Sequence, residues 1–447
     1  MHRLIDQELK DWKESNGRKA LILRGARQVG KTFSVRKLGE SYLDFYEINF
    51  EKRGELRSLF EGNLDPKRIL RDLAIDRGSS ITLGKTLLFF DEIQACPQAL
   101  ISLRYFYEEM PELHIIGAGS LLEFALEKVG IPVGRVQTLT VYPMSFAEFL
   151  VAKKQALLLE AILEQKNLNS MLHEKTRRLL AEYFVIGGLP EVVFNWITRE
   201  QPAEVQDKLV TLVSTYRDDF EKYAKKNQLK YLSLLFQHIP LQIGKKFKFQ
   251  EVGGYRKREL APCLELMEKA DIIHLAHHTA GQGLPLGAQA DLEKYKVLLF
   301  DVAITQQLLG LDLKGWFLNP EASFINSGPL VKNFIGQEMM AYSGPNIRHP
   351  LYYWQREARG SEAKIDYLTV LKGEVIPVEV KAGKGSTLRS LHSFLNSHPK
   401  SPYGIKISLA ERNHFENIRS IPLYAAFEIV EGGKERVSML LSHVKQI

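Results

Sequence analysis

The sequence predicts a three-part α/β protein: a parallel sheet flanked by helices over residues 1–150, a helical region over 151–290, and a second α/β part over 291–447. Three observations predict it. Short apolar runs, "KALILRG", "TLLFFDE" and "ELHIIGAG", alternate with helical patterns such as Ala99 to Glu109, and each run ends at a polar or Gly-rich turn. From about Phe149 to Asn227, Leu157, Leu158, Ile162, Leu172 and Leu179 recur among charges, a helical pattern interrupted by the turn in "VIGGLPEVV". From Lys296 onward, strand-like runs return in "VLLFDVAI", "PLYYWQ", "KIDYLTVL" and "EVIPVEVK". A chain of 447 residues, at roughly 150 residues per domain, agrees with three parts.

The first part is built around "LILRGARQVGKTF". Gly25, Ala26, Arg27, Gln28, Val29, Gly30, Lys31 and Thr32 have the Walker A spacing, with a strand before them and a helix after. The glycines let backbone N–H groups wrap an anion, and the helix N-terminus adds its dipole. In this pattern Lys31 reaches the β- and γ-phosphates of ATP, and Thr32 holds Mg²⁺. "TLLFFDEIQ" supplies the second half: Asp91 emerges at the end of a buried strand to hold the Mg²⁺ water shell. Glu92 follows it, placed to polarise an attacking water. Ser120 ends a third strand, where a polar residue can sense the γ-phosphate. Arg135, in "VGRVQTL", is a positive charge for the transferring phosphoryl group or an ordinary surface residue.

Composition sets the limits. The formal charge is +7, which suits an anionic partner such as nucleic acid, or simply a soluble surface. Cys96 and Cys263 are far apart, with no metal-ligand spacing, and read as buried small side chains. "MHRLIDQELKDW" has no apolar signal core, and no run is long enough to span a bilayer, so a cytoplasmic location without membrane contact is expected.

"GARQVGKT", "FFDEIQACP", "GAGSLLEF", "GRVQTLTVYPMSFAEF" and "GGLPEVV" together resemble a family of bacterial and archaeal AAA-type P-loop ATPases. Members carry a C-terminal domain of unknown function with a restriction-endonuclease-like core, and the resemblance extends over nearly the whole chain. It implies ATP binding and hydrolysis. The family's sensor position matches Ser120, and its Gly-Arg motif matches Gly134-Arg135. Such ATPases often assemble as homo-oligomers, so Arg135 can act in cis or in trans.

In the middle, "YLSLLFQHIPLQIGKKFKFQEVGGYRKRELAPCLELMEKADIIHLAHH" reads as helix, basic turn, helix and strand, and is similar to the winged-helix layout of that family. Lys245, Lys246, Lys248, Arg256, Lys257 and Arg258 cluster near the turn, either to track DNA phosphates or as a solvated face.

Near the end, a two-residue turn at Lys372-Gly373 pairs Leu371 with Glu374 and sets Asp366 opposite Glu379, with Lys381 on the same face. Pro377 in the second strand suggests an edge position or a break in pairing. Two carboxylates on one face can hold a divalent metal for phosphodiester cleavage, with the lysine orienting water or offsetting developing charge. They equally suit a charged strand face. Glu338, in "NFIGQEMMAY", matches the family's preceding acidic residue and is expected to join the metal shell. Two functions follow: an ATPase that acts on or is regulated by nucleic acid, with a candidate metal-dependent nuclease site, or a nucleotide-controlled switch that binds without cutting.

Overall fold

Burial decides the first sheet. β1 (Ala20–Arg24), β3 (Thr86–Asp91) and β4 (His114–Ala118) are almost wholly buried, as parallel strands covered on both faces must be. With β2 (Asp44–Asn49) and β5 (Val136–Thr140), they make an all-parallel sheet in the order β2-β3-β4-β1-β5 in the computed structural model of the chain. The structure describes residues 1–445 except 131–133, 166–167, 312–313, 357–362 and 384–387. On one face of this sheet Phe60 packs edge-on against Phe50 and Phe90, both at 5.5 Å between ring centres. β4 lies between β1 and β3, so the segments leaving these three strands meet at one rim.

The described residues form two compact units. The first is Arg3–Tyr142 together with a distant segment, Pro345–Arg348. That segment lies along the open edge of β5. Thr140 N–H donates to the Pro345 carbonyl at 2.9 Å, and Arg348 Nη2 stands 3.6 Å from Glu123 Oε1. The first compact unit thus takes its main stretch up to Tyr142.

The second unit holds an eight-stranded mixed sheet. Its strands are β6 (Ile273–Thr279), β7 (Ala290–Leu299), β8 (Leu351–Gln355), β9 (Lys364–Leu371), β10 (Glu374–Val380), β11 (Gly404–Ser408), β12 (Asn413–Phe415) and β13 (Ile418–Pro422). The order is β12-β13-β11-β10-β9-β8-β6-β7. The expected boundary at 290/291 falls inside this sheet, because the β6–β7 hairpin of the middle region is joined to β8. In "VLLFDVAI" the strand stops at Leu299. The Asp301 side chain accepts from Ala303 and Ile304 N–H and so caps a helix over Val302–Leu309, which ends the strand expected there.

The β9–β10 hairpin has the expected register. Leu371 pairs with Glu374 and Tyr367 with Val378. Lys372 (φ 52°) and Gly373 (φ 77°) both take positive φ, as a two-residue hairpin turn matching the strand twist requires. Of the two alternatives for Pro377, the edge position does not occur, since β10 lies between β9 and β11. Pro377 is accommodated because the pairing with β11 begins one residue later, at Val378.

"YPMSF" and "GGLPE" turn out to be mutual supports. Met144 N–H donates to the Gly188 carbonyl at 2.6 Å, and Gly188 N–H donates to Asp301 Oδ2 at 2.7 Å. Gly187 sits at φ 69°, and a Cβ there would stand 2.3 Å from Asp301 Oδ1. The glycine pair is required by this close approach.

Candidate functional site

The loop after β1 has the backbone that its sequence demands. Gly25 has φ 135°, and a Cβ there would lie 2.2 Å from the Val141 carbonyl oxygen. Gln28 and Gly30 also take positive φ, and Gly30 caps the helix Lys31–Gly39. Lys31 is buried, with Nζ donating to the Gly25 and Ala26 carbonyls at 2.9 and 2.8 Å. An ammonium folded onto its own loop marks where phosphate oxygens would compete for it. Ala26, Arg27 and Val29 complete the turn between the two glycines.

Beside the loop, Thr32 Oγ1 donates to Asp91 Oδ1 at 3.1 Å, and Asn49 Nδ2 donates to Asp91 Oδ2 at 2.9 Å. Burial, and then the charge of Glu92, push the Asp91 carboxyl above its ordinary range, which the two hydrogen bonds offset in part. A buried anion met by neutral hydroxyl and amide donors fits a Mg²⁺ site. Glu92 has φ 49° and ψ 44°, a conformation that suits few non-glycine residues. Gln94 Nε2 holds Glu92 Oε2 at 2.6 Å. Ser120 is buried just past β4, between the ends of β1 and β3. Asn49 and Gln94 are additions to the expected set. The alternation in "DFYEIN" marks the strand that ends at Asn49, whereas Gln94 has no comparable signal.

Arg135 does not join its own loop. Val136 pairs with Ala20 at the start of β1, and the phosphate loop leaves the other end, beyond the Arg24–Thr140 pair. The strand length puts Arg135 roughly 15–20 Å from the loop, on the opposite rim. There it is 44% exposed and paired with Glu108 at 2.6 Å. The cis role at its own nucleotide is excluded by strand direction. An arginine that does lie at the loop rim is Arg24, which donates to Glu123 Oε1 at 2.7 Å.

In the second unit, Asp366 and Glu379 are both buried at the end of the β9–β10 ladder. Asp366 Oδ2 accepts from Val380 N–H at 3.1 Å. Asp366 Oδ1 lies 2.6 Å from Lys332 Nζ and 3.8 Å from Lys296 Nζ. Burial raises the Asp366 carboxyl, but these two ammonium groups outweigh it and hold it below the ordinary range. Burial pushes Lys296 down to about 8. Glu379 Oε1 pairs with Lys381 Nζ at 2.5 Å, while Glu379 Oε2 is buried without a hydrogen-bond partner among the described residues. Burial leaves the Glu379 carboxyl raised despite Lys381.

Glu338 is not part of this group. Its two carboxylate oxygens accept from Phe146 N–H at 3.0 and 3.2 Å, at the start of the helix Phe146–Ala152. Burial pushes it up to about 8. The expectation that it joins a metal shell is overturned because the helix N-terminus already uses both oxygens. Among the described residues, no three His, Cys, Asp or Glu side chains converge on a metal position.

The middle region contributes helices Leu229–Gln242 and Lys257–Lys269 followed by the β6–β7 hairpin. Lys245, Lys246, Lys248, Arg256, Lys257 and Arg258 are exposed. Lys248 pairs with Glu251 and Lys257 with Glu293. No helix among the described residues is long and apolar enough to cross a membrane.

Comparison with known proteins gives the following. Residues 17–150 match a family described as an AAA domain. Residues 177–315 and 327–425 match two domains of unknown function, DUF8612 and DUF4143. Among solved structures, the Walker-type ATPase PABY2304 of Pyrococcus abyssi is similar over 68% of this chain and 95% of that one, with 17% identity and a TM-score of 0.45. The Aeropyrum pernix ORC1 protein, solved in complex with DNA, is similar over 68% and 92%, with 14% identity and a TM-score of 0.29. A search of the curated proteins finds no match. The first part of this chain is thus an AAA-type P-loop ATPase domain, followed by two domains of unknown function.

Proposed function

We propose that this protein hydrolyses ATP at the loop Gly25–Thr32, and that its second unit binds nucleic acid under control of the nucleotide. The observation that carries the first statement is the meeting of Thr32 and Asn49 on buried Asp91 beside the Lys31 loop, with Glu92 held by Gln94 one residue on. Lys31 exchanges its loop carbonyls for β- and γ-phosphate oxygens, while the loop N–H groups cradle the phosphates. Thr32 and Asp91 would hold Mg²⁺, which neutralises phosphate charge when bound. Glu92 accepts a proton from the water that attacks the γ-phosphorus. The bond to the β–γ bridging oxygen breaks, and ADP and phosphate leave. Ser120 senses the γ-phosphate from the end of β4. Arg135, remote from its own loop, serves the nucleotide of a neighbouring copy in a homo-oligomer.

Lys31→Ala should weaken ATP binding about 100-fold or more by removing the phosphate cation. Glu92→Gln should keep ATP binding and lower turnover by about 10²–10⁴-fold. Turnover at the wild-type rate in Glu92→Gln would remove Glu92 from the mechanism. For Arg135, the test is mixing. Arg135→Ala and Lys31→Ala copies, each inactive alone, should regain turnover together, and a mixture that stays inactive would refute action in trans.

For the second unit, the exposed basic residues around the turn after Gln242, and the helix–helix–hairpin that carries them, support phosphate-backbone binding. A second reading, phosphodiester cleavage at Asp366, Glu379 and Lys381, is favoured by one observation, the unmet Glu379 oxygen beside a second buried carboxylate.

A further inference from the structure

We propose that Arg3 is a positioning residue for the phosphate loop, whose guanidinium holds both ends of the loop in the shape that receives a nucleotide. The inference rests on the reading above that Gly25–Thr32 binds ATP. It adds a residue outside the motif on which that binding depends.

The N-terminal segment meets the loop from behind. Arg3 is 5% exposed and stands just before the helix Ile5–Glu14. Its Nη1 donates to the Val29 carbonyl at 2.8 Å, and its Nη2 donates to the Tyr142 carbonyl at 2.7 Å. Asp6 fixes the backbone that carries it. Arg3 N–H donates to Asp6 Oδ2 at 2.9 Å, and the same oxygen lies 2.7 Å from Lys37 Nζ on the helix Lys31–Gly39.

The two carbonyls control opposite ends of the loop. Val29 precedes Gly30, the cap of the helix Lys31–Gly39. A trans peptide is planar, so its C=O and N–H point in opposite directions. Holding the Val29 carbonyl from outside therefore turns Gly30 N–H inward, where the loop cradles phosphates. A guanidinium donor makes this a charge-assisted hydrogen bond and polarises the peptide toward the anion. Tyr142 governs the other end through its neighbour. Val141 N–H donates to the Arg24 carbonyl at 2.9 Å, and the Val141 carbonyl oxygen is the atom that a Cβ on Gly25 would strike. Holding Tyr142 keeps this brace against the first glycine.

Nucleotide binding makes the brace matter more. Lys31 Nζ ties down the Gly25 and Ala26 carbonyls from inside. Phosphate oxygens take that ammonium, so the internal tie is lost as the loop fills. The Arg3 bonds approach from outside and survive the exchange. Their contribution falls on the phosphates that the loop N–H groups cradle, which ATP and ADP share. It does not fall on the attack of water at Glu92.

The test uses the full chain as wild type, Arg3→Ala, Arg3→Lys and Asp6→Asn. Calorimetry with Mg²⁺ and ADP gives Kd, steady-state turnover gives KM and kcat for ATP, and melting curves without nucleotide report folding. Arg3→Ala should raise the ADP Kd and the ATP KM together, by at least about tenfold, with kcat near the wild-type value. Arg3→Lys keeps the charge but offers its donors from one point instead of a planar fork, so it should lose affinity severalfold. Asp6→Asn keeps an acceptor for Arg3 N–H and drops the charge facing Lys37. It should lower the melting temperature and leave ADP affinity unchanged, which separates loop positioning from general stability. Unchanged ADP affinity in either folded Arg3 variant would overturn the proposal, as would a loss confined to kcat. A wild-type chain that binds neither ADP nor ATP would overturn the reading of the loop instead.

Discussion

Asp91 and Asp366 are both buried aspartates near the end of a strand, each with an acidic neighbour, and their surroundings are opposite in sign. Asp91 meets a hydroxyl and an amide, and its carboxyl is raised. Asp366 meets two ammonium groups, and its carboxyl is lowered. The first is an anion awaiting a cation from solution. The second is an anion already neutralised by the chain. Residue type and burial are shared, so the difference lies in which neighbours the fold delivers.

Removing each charge should therefore act in opposite directions. Asp366→Asn leaves Lys296 and Lys332 without their counter-ion and should destabilise the protein by about 3–5 kcal/mol, toward the lower figure because Lys332 is partly exposed. Denaturant unfolding would measure this, and an unchanged midpoint would erase the contrast between the sites. Acid should sharpen it. The lowered Asp366 carboxyl contributes stability above its unfolded value and loses it as pH falls through its folded value. The raised Asp91 carboxyl favours the folded state below its unfolded value, and this is lost as pH rises through its folded value.

A second contrast concerns the anions each unit takes. Neutralising Lys245, Lys246, Arg256, Lys257 and Arg258 should weaken DNA binding and flatten its salt dependence by about one unit of slope for each phosphate no longer neutralised. ATP affinity should not change. An unchanged salt slope would take this face out of the nucleic-acid interface. The smallest effect is expected for Asp91→Asn, which should raise stability without Mg²⁺ by about 1 kcal/mol, because a buried charge has been removed. Differential scanning calorimetry would detect it, and a lowered melting temperature would mean Asp91 has a cationic partner.

The sequence makes some of this legible and hides the rest for identifiable reasons. The phosphate loop is readable because its chemistry needs contiguous residues, as in Gly25 to Thr32. The β9–β10 register is readable because one short turn and a period of two determine every pair. Sequence leaves Arg135 open between cis and trans because its distance from the loop depends on which way β5 runs beside β1. Glu338 is misassigned because its true partner, Phe146 N–H, lies far away in the chain. Lys296 and Lys332 escape notice for the same reason: neither stands near Asp366 until β7, β9 and the helix Gly328–Tyr342 have packed.

The segment Pro345–Arg348, which completes the edge of β5, also sets a schedule for synthesis. The ribosome delivers Thr140 long before Pro345, about two hundred residues later. At roughly 5–20 residues per second, that delay is on the order of 10–40 s. Throughout it the nascent ATPase sheet presents a bare strand edge, the feature by which chains pair wrongly with one another. The N-terminal unit starts first and cannot finish until most of the second unit has been translated.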